Sequence, residues 1–461
     1  MASLAEVGTW IEKRLPELLA EHQVPGAAVA VLAGGEVVDT AAGVLSKATG
    51  VEATPDSVFQ VGSITKVWTT TLAMQLVDEG KLDLDATVRT YVPEFALGDE
   101  DAAAAITVRQ LMCHVSGFEG DIFTDTGKGD DCVEKYVAVL ADVPQLFAPG
   151  ERFSYNNAGY CVLGRVVEVL REKPFDDCVR DHLFTPLGLT HAANGPYEAI
   201  MYRAAVGHIQ QSADADFEPA PVWSLVRSNA PAGSMLAMRP RDLLGFARMH
   251  LAGGTAPDGT EVLSPASVKA MQERQVELPD LGLMGNAWGL GWEIFDFEGG
   301  TVIGHDGGTI GQSAFLRIVP GRDVAVALLT NGGNPFQLYT EIFGHVLAEL
   351  ADVTVPELPT PEPGAKVADP QRYAGTYASS VADSIVTVDE DGRLWIEREM
   401  KGIFAELGEA PEKSELVAWR GDTLLPAQAE HGVHMPHAFV VEGGADRASF
   451  LHTGRADRRV S

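Results

Sequence analysis

The segment VTVPELPTPEPGAKVADP cuts this chain in two. It carries Pro356, Pro359, Pro361 and Pro363 within eight residues. Each proline removes a backbone donor and fixes φ, so neither a helix nor a β-ladder propagates through the stretch. No apolar periodicity accompanies it, which is the pattern of a linker. We read residues 353–369 as that linker, 1–352 as a long unit and 370–461 as a short one. The 461 residues, 46% of them hydrophobic, suffice for two separate cores.

The long unit mixes two periods. Leu4, Val7, Ile11, Leu15, Leu18 and Leu19 recur at helical spacing and predict an amphipathic helix over 4–23. GAAVAVLAGGEVVDTAAG predicts two strands around Gly34-Gly35. Ser63 to about Glu79 predicts a helix stopped by Gly80, and ITVRQLM and RDLLGFARMHL predict two more. Beyond Leu290 come short strands, GLGWEIFDF, TVIGHDG, QSAFLRIVP and DVAVALLTN, then the helical PFQLYTEIFGHVLAELA. Early strands, a helical middle, later strands and a closing helix give an α+β unit: an antiparallel sheet flanked by helices, with a helical subdomain. After the linker, YAGTYASS, SIVTVDEDGRLWIE, SELVAWRG, HAFVVEGG and ASFLHTG read as short strands of a small all-β barrel or sandwich.

Charge narrows the function. Asp and Glu number 65 against 34 Lys and Arg, a formal net charge of −31. Such a surface repels nucleic-acid phosphates and anionic membranes, so neither is an expected partner. The N-terminal stretch lacks the pattern of a signal peptide, and no apolar run reaches the roughly 20 residues of a membrane span. A cytoplasmic location follows as an expectation. Cys113, Cys132, Cys161 and Cys178 form no C-x-x-C pair and read as buried thiols. His431, His434 and His437 lie in a Pro-containing loop without neighbouring Cys or carboxylate ligands, so no metal and no cofactor are expected.

Three short patches carry chemistry. Ser63-Ile64-Thr65-Lys66 is the only S-x-x-K in the chain. On a helix the i and i+3 positions share a face, which brings hydroxyl and amine together. A serine hydroxyl needs a base to take its proton, and burial or a helix N-terminus lowers a lysine pKa enough for that work. Tyr155-Asn156-Asn157 is a Y-x-N in a polar loop before the helical CVLGRVVEVL. A tyrosine beside an ammonium can have a lowered pKa and shuttle a proton, and Asn157 can orient an amine or a carbonyl. His305-Asp306-Gly307-Gly308 lies between two predicted strands, where glycines leave room for a substrate and a free N–H for an oxyanion. Each patch alone also fits a plain structural reading as a cap, a loop or a turn.

Taken together, S-x-x-K, then Y-x-N, then a basic-x-Gly triplet resemble the penicillin-recognising serine enzymes. The class C β-lactamase-like branch, with its esterases, D-amino-acid peptidases and transacylases, is the nearest likeness, over about residues 5–350. GSITKVWTTTLAMQLVDEGKLDLD, ITVRQLMCHVSGF, FAPGERFSYNNAGY, LFTPLGL and PAGSMLAMRPRDLLGFARMHL carry it further. The resemblance implies Ser63 as nucleophile, Lys66 as base, Tyr155 as proton relay and Asn157 as orienting group. It implies an oxyanion hole from the Ser63 and Gly308 N–H groups, with Gly307, Gly308 and Thr309 along the substrate. His305 stands where the family often has lysine. A histidine is mostly neutral at pH 7, which weakens recognition of a β-lactam carboxylate and disfavours a β-lactamase or a stalled β-lactam-binding protein. The short unit resembles the lipocalin-like modules appended to penicillin-binding-protein-type thioesterases. Arg455 is its candidate for reaching a substrate carboxylate or carbonyl. The resemblance implies a serine acyl-transfer enzyme with a small-molecule or peptidyl acyl donor. An amine acceptor would make it a transacylase or peptide cyclase, and water a carboxylesterase or D-amino-acid-specific peptidase.

Overall fold

The computed structural model describes residues 2–211, 215–402, 405, 412–430 and 432–461. Helix α1 (Leu4–Glu21) opens the chain with a capping box, Ser3 and Glu6 satisfying each other's backbone N–H. Strands β1 (Gly26–Ala33) and β2 (Glu36–Ser46) follow as the hairpin that Gly34 and Gly35, both at positive φ, permit. The other strands of the large sheet are β3 (Val51–Glu52), β4 (Val276–Glu277), β5 (Ala287–Trp288), β6 (Glu293–Phe297), β7 (Gly300–Thr309), β8 (Gln312–Val319) and β9 (Val324–Thr330). Their order across the sheet is β3-β2-β1-β9-β8-β7-β6-β5-β4, with every pairing antiparallel.

Strands β1 and β9 are apolar almost without interruption because both sheet faces are covered. Ala28, Ala30 and Leu32 face one core, which packs on α2 (Thr65–Asp78), α3 (Asn157–Arg171) and α4 (Pro240–Leu251). Ala27, Val29 and Val31 face the other, under α1 and α5 (Pro335–Ala351). The long unit is thus the expected α+β arrangement. Among the described residues no helix is long and apolar enough to cross a membrane, and all four cysteines are free and buried.

The C-terminal segment closes into an eight-stranded barrel. Its strands are β10 (Gly375–Ala378), β11 (Ala382–Val388), β12 (Leu394–Met400), β13 (Glu412–Arg420), β14 (Thr423–Pro426), β15 (His437–Val440), β16 (Phe450–His452) and β17 (Ala456–Arg459). Two of these strands have no counterpart among the five segments read from sequence. β14 is short and ends in a proline, and β17 is the charged ADRR, which alternates only weakly. Closure pairs β17 with β10 and removes the exposed edge an open sheet would keep.

Candidate active site

Ser63 lies just ahead of the observed helix α2, not at its first residue as predicted. A 3-10 turn, Gly62–Ile64, precedes α2 and carries it, with Gly62 in the left-handed region at φ +52°. Lys66, one turn on, is wholly buried. Its Nζ donates to Ser63 Oγ at 3.0 Å, to Asn157 Oδ1 at 2.7 Å and to the Ala232 carbonyl at 2.6 Å. Burial in this apolar surround pushes the Lys66 amine down to about 7, with Arg455 pressing in the same direction. Once deprotonated, the same 3.0 Å contact runs the other way and the Ser63 hydroxyl donates to the amine.

Tyr155 sits beside this pair, its ring centre 4.8 Å from Lys66 Nζ and its hydroxyl within hydrogen-bonding reach of Ser63. The expectation of a lowered tyrosine pKa is reversed. Burial drives the Tyr155 phenol well above its ordinary value, despite the Ser63 contact. An amine held near neutrality cannot hold a phenolate down, so Tyr155 stays protonated and is equipped to give a proton first.

His114 fixes that phenol. It is fully buried at φ +58°, its ring stacks on Tyr155 at 4.2 Å, and its Nδ1 accepts the Asn156 N–H at 2.9 Å. Nothing in the sequence distinguishes His114 from a core histidine; it lies within a segment quoted for the resemblance. Asp121 is equally silent there. Its carboxylate accepts from Asn157 Nδ2 at 2.6 Å and from Arg455 Nε at 2.9 Å.

His305 lies against Tyr155 and Trp288 rather than against Ser63. Burial lowers it to about 3, so it is neutral across the working range. Its Nδ1 meets the Asp306 carbonyl at 2.6 Å, which makes Nδ1 the protonated nitrogen. Asp306 points the other way and binds Arg317 at 2.6 and 3.0 Å. Arg317, also wholly buried, reaches Tyr339 and lies over Phe295, so this part of β7 is pinned from below.

Strand β7 outruns its neighbour. β6 pairs only with Gly300–Gly304, leaving 305–309 as an open edge beside Ser63. On the other side Thr309 and Gln312 close a two-residue turn, so Gly308 pairs with Ser313 outside the hydrogen-bonded positions. Its N–H therefore turns towards the open edge. A side chain on Gly307 would fall on the Val61 carbonyl, and one on Gly62 would come within 2.7 Å of the Gly308 nitrogen. The backbone contact between the serine turn and β7 thus requires these glycines. Thr309, next along, has a buried hydroxyl with no partner among the described residues.

Arg455 does reach the cluster. It comes from the β16–β17 turn of the barrel, pairs with Asp121 and lies 4.8 Å from the Tyr155 ring centre. The same hairpin grips the chain just before α3. His452 meets the Phe153 carbonyl, the Ala456 N–H donates to Ser154 Oγ, and the Tyr155 N–H donates to the Gly454 carbonyl at 2.9 Å. Of the histidines of the β14–β15 region, His434 and His437 each turn Nδ1 to a backbone carbonyl, and His431 lies outside the described residues.

A family model described as Beta-lactamase matches residues 11–351. The chain belongs to the Beta-lactamase family. Within it, Penicillin-binding protein 4 of Amycolatopsis lactamdurans is 46% identical over 368 residues, 79% of this chain and 96% of that protein. The crystal structure of SurE superposes with a TM-score of 0.78 at 30% identity, covering 99% of both chains. An octameric penicillin-binding protein homologue from Pyrococcus abyssi shares the fold at a TM-score of 0.65 and 21% identity, over 96% of this chain and 97% of that one. The fold is that of the β-lactamase and penicillin-binding-protein serine acyl-transfer family, joined to an all-β barrel consistent with a lipocalin-like module.

Proposed function

We propose that this member of the family is a serine acyltransferase that forms an acyl-enzyme on Ser63 and passes the acyl group of a peptide-like or ester natural product to an amine. The observation that carries the reading is an amine buried 3.0 Å from the Ser63 hydroxyl and held near pKa 7. Neutral Lys66 takes the Ser63 proton as Ser63 attacks an ester, thioester or amide carbonyl. The N–H groups of Ser63 and Gly308 receive the oxyanion. Tyr155 gives its proton to the leaving group, and Lys66 restores the phenol. The second half runs in reverse, with Tyr155 and Lys66 deprotonating the acceptor.

One likeness bears on the acyl donor. The match to SurE spans the barrel as well as the catalytic unit, and a SurE structure was solved with D-Leu. A D-configured residue next to the reacting carbonyl is the corresponding reading for this chain. The neutral His305 offers no fixed charge to a β-lactam carboxylate, which supports placing β-lactams outside the natural substrates.

Intact-protein mass spectrometry tests this with p-nitrophenyl esters, D-amino-acid peptide esters and nitrocefin, each with and without added amines. A mass increment mapping to Ser63, released faster by amines, is the expected result. Release by water alone would make the protein an esterase or D-amino-acid peptidase. A Ser63→Ala variant that still turns over would overturn the acyl-enzyme.

A further inference from the structure

The barrel is packed in one half and hollow in the other. Val386, Leu394, Leu416, Leu424, Phe439 and Leu451 fill the packed half. The half facing the catalytic unit holds a cavity of about 340 Å³, within the roughly 300–1,000 Å³ of small-molecule sites. An eight-stranded barrel has room for its own side chains or for one small ligand. Here the inward positions of β11, β12 and β13 switch to Ser384, Arg398 and Ser414 on the cavity side.

Asp457 of β17 lines this cavity and is 7% exposed. Among the described residues its carboxylate has no hydrogen-bond or ion-pair partner. It feels Arg398 and Arg455 only at longer range, and burial with Glu119 and Asp121 nearby pushes it up to about 7. Arg398 likewise makes no hydrogen bond or ion pair among the described residues. The wall thus carries the unpaired guanidinium of Arg398 and the unpaired carboxylate of Asp457 together with the apolar Val381, Ile396 and Met400. That combination of donor, acceptor and apolar surface suits the C=O, N–H and side chain of a peptide. It matches neither a hydrocarbon nor a simple anion.

The cavity also abuts the catalytic cluster. Asp121 and Arg455 line it, and the same two residues hold Asn157 and lie over Tyr155.

We propose that this cavity is a second substrate compartment that binds an amide-bearing peptidyl segment, Asp457 accepting from its N–H groups and Arg398 donating to its carbonyls. That the reacting carbonyl of the same chain lies at Ser63 rests on the acyl-transfer reading; binding in the cavity does not. The test therefore uses the full chain carrying Ser63→Ala, which removes the chemistry. N-acetyl tetrapeptide amides of Ala and Phe, in all-L, all-D and alternating forms, are titrated by calorimetry. Saturable binding of at least one is expected, weakened at least tenfold by Arg398→Met and by Asp457→Asn. Arg393→Met, on the exposed turn outside the barrel, should leave it unchanged. Ser384→Trp, which fills the cavity, should abolish binding and stands in should either charge variant fail to fold by circular dichroism. No binding, or binding indifferent to all three cavity variants, overturns the proposal. Failure of the acyl-transfer reading would show separately, as the absence of any mass increment on Ser63 in the unmodified chain.

Discussion

Replacing Arg455 by Met should move the pH profile of acylation upward by about one unit. Lys66 Nζ and the Arg455 guanidinium each lie 4.8 Å from the centre of the Tyr155 ring, so the two cations are at most about 9.6 Å apart. At an effective dielectric constant of about 20, two like charges at that separation repel by about 1.7 kcal/mol, or about 1.3 pKa units. Arg455 is 39% exposed, and solvent screening reduces this to about one unit. The repulsion disfavours the charged amine, so its loss raises Lys66 from about 7 towards 8. Asp121, left without its partner, pulls in the same direction. The rate constant for acylation by p-nitrophenyl acetate, followed as kcat/KM from pH 5 to 10, reports the free-enzyme value. The unmodified protein should rise through a midpoint near 7 and Arg455→Met through one near 8. A midpoint that stays put or falls would refute the claim that Lys66 is the titrating base, or that Arg455 tunes it.

Other consequences follow from the same packing. The folded-state value of Lys66 lies below its ordinary 10.5, so between about pH 7 and 10.5 the unfolded chain binds more protons and stability rises with pH, by about 5 kcal/mol in all. Lys66→Met should flatten that slope and stabilise the fold below pH 7; guanidinium melts at pH 6 and 9 that keep the same difference in both proteins would contradict it. Gly307→Ala should cost about 1–3 kcal/mol and more than tenfold in acylation, because its methyl group meets the Val61 carbonyl, whereas Gly308→Ala, which meets nothing within 4 Å, should melt close to the parent. His114→Asn, a residue that tolerates the left-handed region, should lower acylation at least tenfold through loss of the Tyr155 stack while the midpoint near pH 7 persists; equal rates would leave His114 no role beyond the core.

Much of this fold is legible because its segments follow one period each. The short, almost unbroken apolar runs of β1 and β9 and the spacing of Val7, Ile11, Leu15 and Leu18 predict their elements directly. The Ser63–Lys66 approach is legible too, since three residues of helical chain cannot hold them far apart. What joins Tyr155, Asn157 and Gly308 to that pair is long-range packing, and only the family resemblance foretells it. The contact of Arg455 with Asp121 bridges 334 residues of chain, and neither residue carries a local pattern. The reversal at Tyr155 has a simpler origin. Proximity to a lysine is visible in a motif, but the burial that strips the lysine of its charge is not.

Burial is also what makes the two proton-handling groups complementary. In water, lysine is charged and tyrosine is protonated at pH 7, so both hold protons and neither can accept one. Taking both out of solvent moves them in opposite directions: the amine falls to about 7 and the phenol rises. One becomes an acceptor while the other remains a donor, which is the state an attack by Ser63 requires. The barrel supplies part of that burial, through the hairpin that bonds to Phe153, Ser154 and Tyr155 and carries Arg455 over the phenol. In the proposed mechanism it would thus take part in the proton chemistry: it covers Tyr155, and Arg455 adds to burial in disfavouring the charged form of Lys66.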